Sequence, residues 1–229
     1  MEYSELLAGR RSTRRFDTGR DVPDDVLERV LAAPLAMPHA GNTYDWRGVV
    51  LRRRDRDPAT WPAIYSALLE QNYVEEAAVL IAYAVQPAWW AERYRANVDA
   101  LVERGLIDPA RHTGLMALLD SGPAEVAALR TGLIGEAMMG VAAAMLAAID
   151  AGLGATVTGC KPGALTTALG LPEGVFLCPW GVLALGYPAA DGARAAGSAS
   201  QEQAQAPKPA LADMYFMQGW GRPLPAAVA

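Results

Sequence analysis

The stretch from Ala137 to Ile149 constrains the fold of this chain more than any other segment. It holds thirteen residues without a charge and is bounded by Glu136 and Asp150. A bilayer-spanning helix needs about 20 such residues, so we predict a helix that is buried on nearly all sides, inside the protein or at a subunit interface. Small residues permit close contact between this helix and its neighbours; they are Gly140, Ala142, Ala143, Ala144, Ala147 and Ala148.

Composition indicates a folded globular protein. The chain has 229 residues, of which 52% are hydrophobic and 20% are charged, and this length is enough to bury a sizeable core. The formal net charge of -5 argues against nucleic acid or an anionic membrane as the main partner. Any anion that the protein binds must therefore be held by a local cluster of cations.

Cysteine and histidine usage argues against a disulfide scaffold and against a metal site. The two cysteines, Cys160 and Cys178, lack the spacing of zinc ligands, and the two histidines, His39 and His112, add few further ligands. The N-terminus carries no apolar signal core. We therefore expect no metal and a reducing, cytoplasmic location.

Several common enzyme signatures are missing from the sequence. No GxGxxG or P-loop motif follows a predicted strand, and no Gly-x-Ser-x-Gly elbow occurs. A Rossmann dinucleotide fingerprint and a classical serine hydrolase are therefore not expected.

Hydrophobic patterning predicts three strands, which are Trp46 to Leu51, Ala77 to Val85 in the middle of a sheet, and part of Val175 to Tyr187. Helices are also predicted along most of the chain. They cover Tyr3 to Gly9, Val22 to the residue before Pro34, Thr60 to Gln71, about Pro123 to Gly152, and a short segment that ends at Gly170. Residues 189–210 lack periodicity and predict a flexible linker.

The segment from Ala88 to Ser121 predicts a helical excursion with aromatic residues near its start. Trp89, Trp90 and Tyr94 precede a run of arginines and glutamates. The segment could be a lid over a pocket, or an ordinary surface helix whose aromatic residues are buried. The sequence leaves both interpretations open.

Two runs of arginine receive different interpretations. The first run contains Arg10, Arg11, Arg14 and Arg15 with Ser12 among them, and arginine forks with a hydroxyl suit a phosphate group. Such a run can also simply face solvent. The second run, at residues 52–56, alternates with Asp55 and Asp57, and we predict a solvated turn because the acids cancel its field.

These motifs together resemble the nitroreductase family of flavoproteins. Arg10 to Phe16 is similar to the family's Arg-x-Ser-x-Arg/Lys flavin-phosphate motif followed by Phe, and Ala40 to Trp46 is similar to its Ser-x-Asn-x-Gln-Pro-Trp segment. The C-terminal half matches the family in order and spacing. The matching segments there are Gly152 to Gly154, Ala168 to Gly174, Leu183 to Pro188 and the Gly-Arg-Pro tail with Arg222.

The resemblance implies an α+β, nitroreductase-like fold in a domain-entwined homodimer, with a central, mostly antiparallel sheet flanked by helices. Residues 1–190 would form the FMN-binding domain. Residues 191–229 would be a linker and a C-terminal arm that docks on the dimer and hides Tyr215, Phe216 and Trp220. The residues that the resemblance assigns to FMN are Arg10, Arg11, Ser12, Arg14, Asn42, Thr158, Gly159 and Arg222.

The function implied is an FMN-dependent oxidoreductase that uses NAD(P)H to reduce nitro, quinone or related acceptors by ping-pong hydride transfer through flavin N5. Tyr44 and Asp45 stand where the family usually has Gln-Pro, so they are expected on the substrate side, together with Trp89, Trp90 and Tyr94. Two alternatives stay open. One is an FMN-dependent oxidase or dehydrogenase that tailors a peptide or secondary metabolite, and the other is a flavin-binding homodimer without reductase turnover.

Overall fold

The computed structural model describes residues 2–108, 110, 113, 123–190, 211–215, 217–218 and 222. The chain divides into two compact units, Met1–Gly192 and Ala193–Ala229. The first unit contains the sheet and all but one of the helices named below. Residues 191–210 of the predicted linker at 189–210, and Phe216 and Trp220 of the predicted arm, lie outside the described residues.

A four-stranded antiparallel sheet forms the centre of the first unit. Its strands are β1 Trp46–Arg52, β2 Val79–Val85, β3 Gly154–Thr158 and β4 Phe176–Gly186. The strand order is β1-β2-β4-β3, and every neighbouring pair is antiparallel. The predicted antiparallel sheet and the central position of β2 are therefore confirmed. We had not predicted β3, which forms one edge of the sheet.

Helices flank the sheet, and several match predicted segments, whereas the helices at residues 72–76 and 211–214 are not among the predictions. The helices are α1 Tyr3–Gly9, α2 Asp24–Ala32, α3 Trp61–Ala67, α4 Asn72–Glu76, α5 Pro87–Glu103, α6 Pro123–Asp150, α7 Pro162–Ala168 and, in the second unit, α8 Leu211–Met214. Single 3-10 turns occur at Ala33–Ala36, Ala40–Asn42 and Arg53–Asp55. α3 ends earlier than predicted because Leu69 and Glu70 adopt left-handed backbone angles, with φ of 65° and 53°.

Both faces of the sheet are covered, so the central strand β2 is buried throughout. Val79, Ile81 and Tyr83 contribute to a core cluster that also contains residues of α2 and α6. The alternate residues Leu80 and Ala82 contribute to a second cluster with residues of α3 and α7. This period of two is the reason that β2 reads as a continuous apolar run in the sequence.

Helix α6 buries one face in the first core cluster. The buried residues lie three or four positions apart, as one face of a helix requires; they are Leu133, Ala137, Val141, Ala144 and Ala148. Exposed residues on the opposite side include Gly135, Met139 and Ala142, and Met139 is 40% exposed. Within the single chain this stripe is exposed, and the predicted burial on nearly all sides, inside the protein or at a subunit interface, stays a prediction.

The apolar character of α6 extends beyond the segment singled out in the sequence. By length and composition alone, Leu129–Asp150 could cross a membrane. Packing against the sheet accounts for the apolar face that contains Val141 and Ala144.

The second arginine run is not a solvated turn, so that prediction is wrong. Arg53 donates hydrogen bonds from Nη1 to the carbonyl of Glu76 (2.7 Å) and from Nη2 to the carbonyl of Thr18 (2.8 Å). Arg56 donates to the carbonyl of Val74 (2.8 Å) and lies over the Trp61 ring at 3.6 Å. Burial lowers the pKa of Arg56 to about 10. These arginines fasten the turn to segments that are distant in sequence.

Replacement of Arg53 by alanine is expected to lower the free energy of unfolding by roughly 1 to 2 kcal/mol, because two backbone carbonyls lose a charged donor. Arg54 lies in the same turn, is about half exposed and contacts the exposed acids Asp21, Asp24 and Asp55. Arg54→Ala should therefore change stability by less than about 0.5 kcal/mol. Urea unfolding monitored by circular dichroism measures both values, and equal losses would contradict the structural role of Arg53.

The second unit is described at a few residues. Leu211, Met214 and Tyr215 are each more than half exposed. The amide of Met217 donates a hydrogen bond to the carbonyl of Arg222 (2.9 Å), and the side chain of Arg222 is exposed.

Candidate active site

The predicted phosphate-binding segment runs beside the edge strand β3. Ser12 forms a parallel bridge with Ala155, and the amide of Thr13 donates to the carbonyl of Ala155 (3.0 Å). At Gly154 a Cβ atom would lie 2.6 Å from the Thr13 side chain. Only glycine therefore permits this close approach, and the segment from Arg10 to Arg14 is held in a fixed position along β3.

The four arginines at positions 10, 11, 14 and 15 have different surroundings. Arg15 donates from Nε to Glu76 Oε1 (3.0 Å), and Glu76 also accepts the amide of Phe16 (2.9 Å). Arg11 donates to the carbonyl of Ala8 (2.9 Å) and so binds the C-terminal end of α1. Arg10 is half-buried, while Ser12 and Arg14 are exposed. Arg15 is therefore structural, and the assignment of Arg10, Arg11, Ser12 and Arg14 to a phosphate stays a prediction.

Thr158 and Gly159 lie where β3 ends. The hydroxyl of Tyr73, which is 85 residues away in sequence, donates to Thr158 Oγ1 at 2.8 Å. Thr158 itself is buried. Tyr73 therefore fixes the side chain of a predicted site residue, and nothing in the sequence linked the two.

Trp180 is a second residue that sequence reasoning missed. It lies in a bulge of β4. Ala82 pairs with Val182 and Ala84 pairs with Leu177, so two residues along β2 lie opposite five residues along β4. The Trp180 ring packs on Gly159, where a Cβ atom would lie 2.9 Å from it, and yet the side chain is 67% exposed. Pro179 within a strand-like run was the available signal, since proline in a strand commonly marks a bulge.

The segment that contains Asn42 forms a tight turn before β1. Gly41, Asn42 and Tyr44 all have left-handed backbone angles, with φ of 62°, 57° and 47°. Such angles are uncommon for residues other than glycine and are unfavourable for an aromatic residue. Hydrogen bonds from α5 hold the turn: Asn97 Nδ2 donates to the carbonyl of Gly41 (2.7 Å), and Arg93 donates to that of Thr43 (3.1 Å).

The aromatic residues of α5 pack mainly against this turn. Trp90 is buried and stacks on Tyr94 with ring centroids 4.6 Å apart. The Tyr94 ring covers Gly41, at which a Cβ atom would lie 2.3 Å from Cδ2. Trp89 is half-buried, and the guanidinium of Arg47 lies over its ring, 4.6 Å from the ring centroid. For Trp90 the buried-aromatic interpretation fits, while Trp89 and Tyr94 keep some exposed surface.

Tyr44 and Asp45, the departures from the family pattern, face different surroundings. The Tyr44 hydroxyl donates to the carbonyl of Leu35 (3.2 Å). Asp45 is fully buried; its Oδ1 accepts a hydrogen bond from Thr43 Oγ1 (3.3 Å), and its Oδ2 has no partner. Burial raises the pKa of Asp45 despite its hydrogen bonds and the nearby His39 and Arg47. Its carboxyl group therefore points into the protein interior.

The predicted site residues fall into two groups within the first unit. Arg10, Ser12 and Thr158 lie along β3, whereas Asn42 and Tyr44 precede β1. β1 and β3 are opposite edges of the sheet, and three interstrand spacings separate them by about 14 Å. Within one chain the two groups therefore lie at opposite edges of the sheet. Arg222 belongs to the second unit.

Comparison with known proteins agrees with this architecture. The sequence profile described as the Nitroreductase family matches residues 7–187. A protein of Thermus thermophilus named NADH dehydrogenase is 32% identical over 186 residues, which cover 80% of this chain and 85% of that protein. The extent of both matches is sufficient to assign the family.

Solved structures share the same fold at low sequence identity. One is a nitroreductase of Exiguobacterium sibiricum in complex with FMN, with a TM-score of 0.71 and 18% identity over 95% of this chain and 98% of that chain. A nitroreductase-like protein of Streptococcus mutans has the same TM-score, identity and coverage. With the profile match and the Thermus relative, these likenesses lead to one conclusion: the chain belongs to the nitroreductase family of oxidoreductases.

Proposed function

We propose that this protein binds FMN and uses NAD(P)H to reduce nitro, quinone or related small-molecule acceptors by a ping-pong mechanism. The observation that carries the proposal is the segment from Arg10 to Arg14, held along β3 next to the strand that leads to Thr158 and Gly159. The name of the Thermus relative and the FMN complex of the Exiguobacterium protein support the choice of donor and cofactor.

The residues of the segment fit the phosphate of FMN. A phosphate monoester carries a charge of about -1.5 to -2, which an acidic chain with a net charge of -5 can bind only at a local cationic site. Arg10 and Arg14 supply positive charge there, and the exposed Ser12 supplies a hydroxyl donor. The close contact of Thr13 with Gly154 holds these groups in place before any ligand arrives, which lowers the entropic cost of binding.

The chain's own groups would bind and orient the cofactor rather than react. When bound, FMN would supply the hydride-transfer chemistry between a nicotinamide and the acceptor. Thr158, held by the Tyr73 hydroxyl, and Gly159 would contact the flavin ring. Asn42 would contact it from the turn before β1, with Tyr44, Trp89 and Tyr94 on the substrate side.

A homodimer would unite the two groups of residues. They lie on opposite edges of the sheet in one chain, and a second copy could place its Asn42 turn against the β3 edge of the first. The exposed stripe of α6 with Met139 supports a subunit contact, because apolar surface of this kind is otherwise left in water.

Free thiols at Cys160 and Cys178 are consistent with a reducing cytoplasm.

The purified protein is expected to be yellow, with about one non-covalent FMN per chain and no bound metal. Anaerobic addition of NADH or NADPH should bleach the flavin absorption, and a nitroaromatic or quinone should restore it. The visible spectrum measures both steps. Failure to take up added FMN would refute the cofactor, whereas FMN that no nicotinamide bleaches would favour the oxidase or dehydrogenase alternative, or a binding protein without turnover.

A further inference from the structure

Two arginines converge on the backbone at the start of β1. Arg47 donates hydrogen bonds from Nη1 to the carbonyls of Tyr44 (2.9 Å) and Trp46 (2.7 Å). Arg93, which lies on α5, donates from Nη1 to the carbonyl of Thr43 (3.1 Å). The three carbonyls lie within four consecutive residues, so both guanidinium groups are held against the same short stretch of chain.

These hydrogen bonds orient the two side chains and occupy only part of their donors. A guanidinium carries five N–H donors in a planar fork, and both arginines contact the backbone through Nη1 alone. Within the described part of the chain, Nε and Nη2 of Arg47 and Arg93 have no acceptor in the protein. Both residues are exposed, so these donors are available to a ligand that arrives from solvent.

The positive charge of the pair lacks a neutralising partner. Neither guanidinium forms an ion pair with a carboxylate of the described residues, since their contacts are with backbone carbonyls and with the ring of Trp89. Trp89 is the third residue of α5, and the Arg47 guanidinium above it therefore lies at the positive end of that helix. Cations are unfavourable at such an end, and anions are stabilised there.

The electrostatics of Arg47 agree with this geometry. Partial desolvation lowers the pKa of Arg47, and repulsion by Arg93 lowers it further, while the smaller attraction of Asp45 opposes both effects. The carboxyl group of Asp45 is itself buried. An anion bound between the two guanidinium groups would relieve their repulsion.

An aromatic surface adjoins the two cations. Trp89 is half-buried with Arg47 over its ring, and Trp89 and Arg93 lie four positions apart on α5, which places them on the same side of the helix. Planar bases stack on aromatic rings and on guanidinium planes. The site therefore suits a phosphate group that belongs to a nucleotide better than it suits a free inorganic anion.

We propose that Arg47 and Arg93 form an anion site that binds a phosphate group of the nicotinamide donor. The inference rests on the proposed function, because the turn that these arginines hold is taken to form the substrate side of the FMN site. Nitro and quinone groups are neutral, whereas NADH carries a pyrophosphate and NADPH carries an additional 2′-phosphate of charge about -1.5 to -2. Arginine forks bind phosphate oxygens through paired, charge-assisted hydrogen bonds.

The site is separate from the segment assigned to the phosphate of FMN. Arg10 and Arg14 lie beside β3, whereas Arg47 is in β1 at the opposite edge of the same sheet. Two anionic groups would therefore be bound by different arginines. Substitutions at Arg47 and Arg93 should act chiefly on the donor, and substitutions at Arg10 and Arg14 on the cofactor.

Arg47→Ala and Arg93→Ala test the site in the FMN-loaded protein. The rate at which NADH or NADPH bleaches the flavin, followed by anaerobic stopped-flow at increasing donor concentration, gives an apparent dissociation constant for each donor. We expect each substitution to raise this constant about tenfold, and by less at high ionic strength. A loss confined to NADPH would assign the site to the 2′-phosphate, and equal losses for both donors would assign it to the pyrophosphate.

Arg104→Ala is the matched control, because Arg104 is an exposed arginine at the opposite end of α5. It should change the constants less than about twofold. Arg47→Lys keeps the charge and should recover most of the affinity, and it serves if Arg47→Ala does not fold. A neutral donor without phosphate, 1-benzyl-1,4-dihydronicotinamide, should lose at least about fivefold less affinity than NADPH or NADH does. Equal losses for neutral and phosphate-bearing donors would mean that the arginines only hold the turn, which would overturn the inference.

Nucleotide binding separates this inference from the proposed function. Isothermal titration calorimetry with adenosine 2′,5′-bisphosphate and with ADP requires no turnover. If neither NADH nor NADPH bleaches the flavin, the proposed function fails, and nucleotide binding that Arg47→Ala weakens but Arg104→Ala does not would still support the phosphate site. If both donors bleach the flavin of Arg47→Ala and Arg93→Ala with parental affinity, the proposed function stands and the inference is overturned.

Discussion

Arg10→Ala and Arg14→Ala are each expected to weaken FMN binding about 10- to 100-fold. A charge-assisted hydrogen bond to a phosphate is worth roughly 1.5 to 3 kcal/mol, and every 1.4 kcal/mol changes a dissociation constant about tenfold. Both side chains leave a segment whose backbone pairs with β3, so their loss should remove ligand contacts while that pairing is retained. Fluorescence quenching of FMN by the apo-protein gives the dissociation constants.

The matched control for these variants is Arg54→Ala. Arg54 is about half exposed and contacts surface acids, so its loss should change FMN affinity less than about twofold. Arg53 would be a poor control because it donates to two backbone carbonyls. Riboflavin lacks the phosphate, and the parent and all variants should bind it equally weakly. If Arg54→Ala lost as much FMN affinity as Arg10→Ala, the arginines would act only through the overall positive potential of the protein and not through direct contacts with the phosphate.

The sequence could predict those parts of the fold whose signal is local. Neighbouring residues in the sequence encode the apolar run of β2. They also encode the end of α6, where Gly152 has a φ of 79°. β3 was missed because Gly154–Thr158 is only five residues long and begins with a glycine, and its strand character comes from pairing with β4 and with Ser12. The role of Arg53 was missed for a similar reason, since the carbonyl it binds lies 23 residues away.

The candidate site shows the same division. Its phosphate segment and its Asn42 turn could be recognised from residue order, because each is a contiguous motif. Partners brought in by the fold could not be recognised: Tyr73 reaches Thr158 across 85 residues, and Glu136 reaches Ala40 across 96. The burial of Asp45 is likewise a property of packing from several elements. A motif shows where such groups lie in the sequence. Contacts between residues that are distant in sequence then determine the surroundings of those groups in the folded protein.

Ala142→Glu is expected to convert a homodimer into monomers and to abolish tight FMN binding. Ala142 lies on the exposed stripe of α6 near Met139, and its own chain leaves room for the larger side chain. In a dimer built on this stripe, the new carboxylate would be buried without a partner, at a cost of roughly 3 to 5 kcal/mol. That cost corresponds to a dissociation constant about 100- to 4,000-fold higher. Sedimentation velocity at micromolar concentration measures the change directly.

Ala96→Glu makes the same change at an exposed position in α5 and should leave the dimer intact. Because each chain carries its two groups of site residues on opposite sheet edges, the monomeric Ala142→Glu variant should keep its fold by circular dichroism while its flavin is lost to dialysis. A parent protein that sediments as a monomer would disprove the dimer. A monomeric Ala142→Glu variant that retained FMN with parental affinity would show instead that one chain completes the site alone, and that the Asn42 turn of a second copy is not needed.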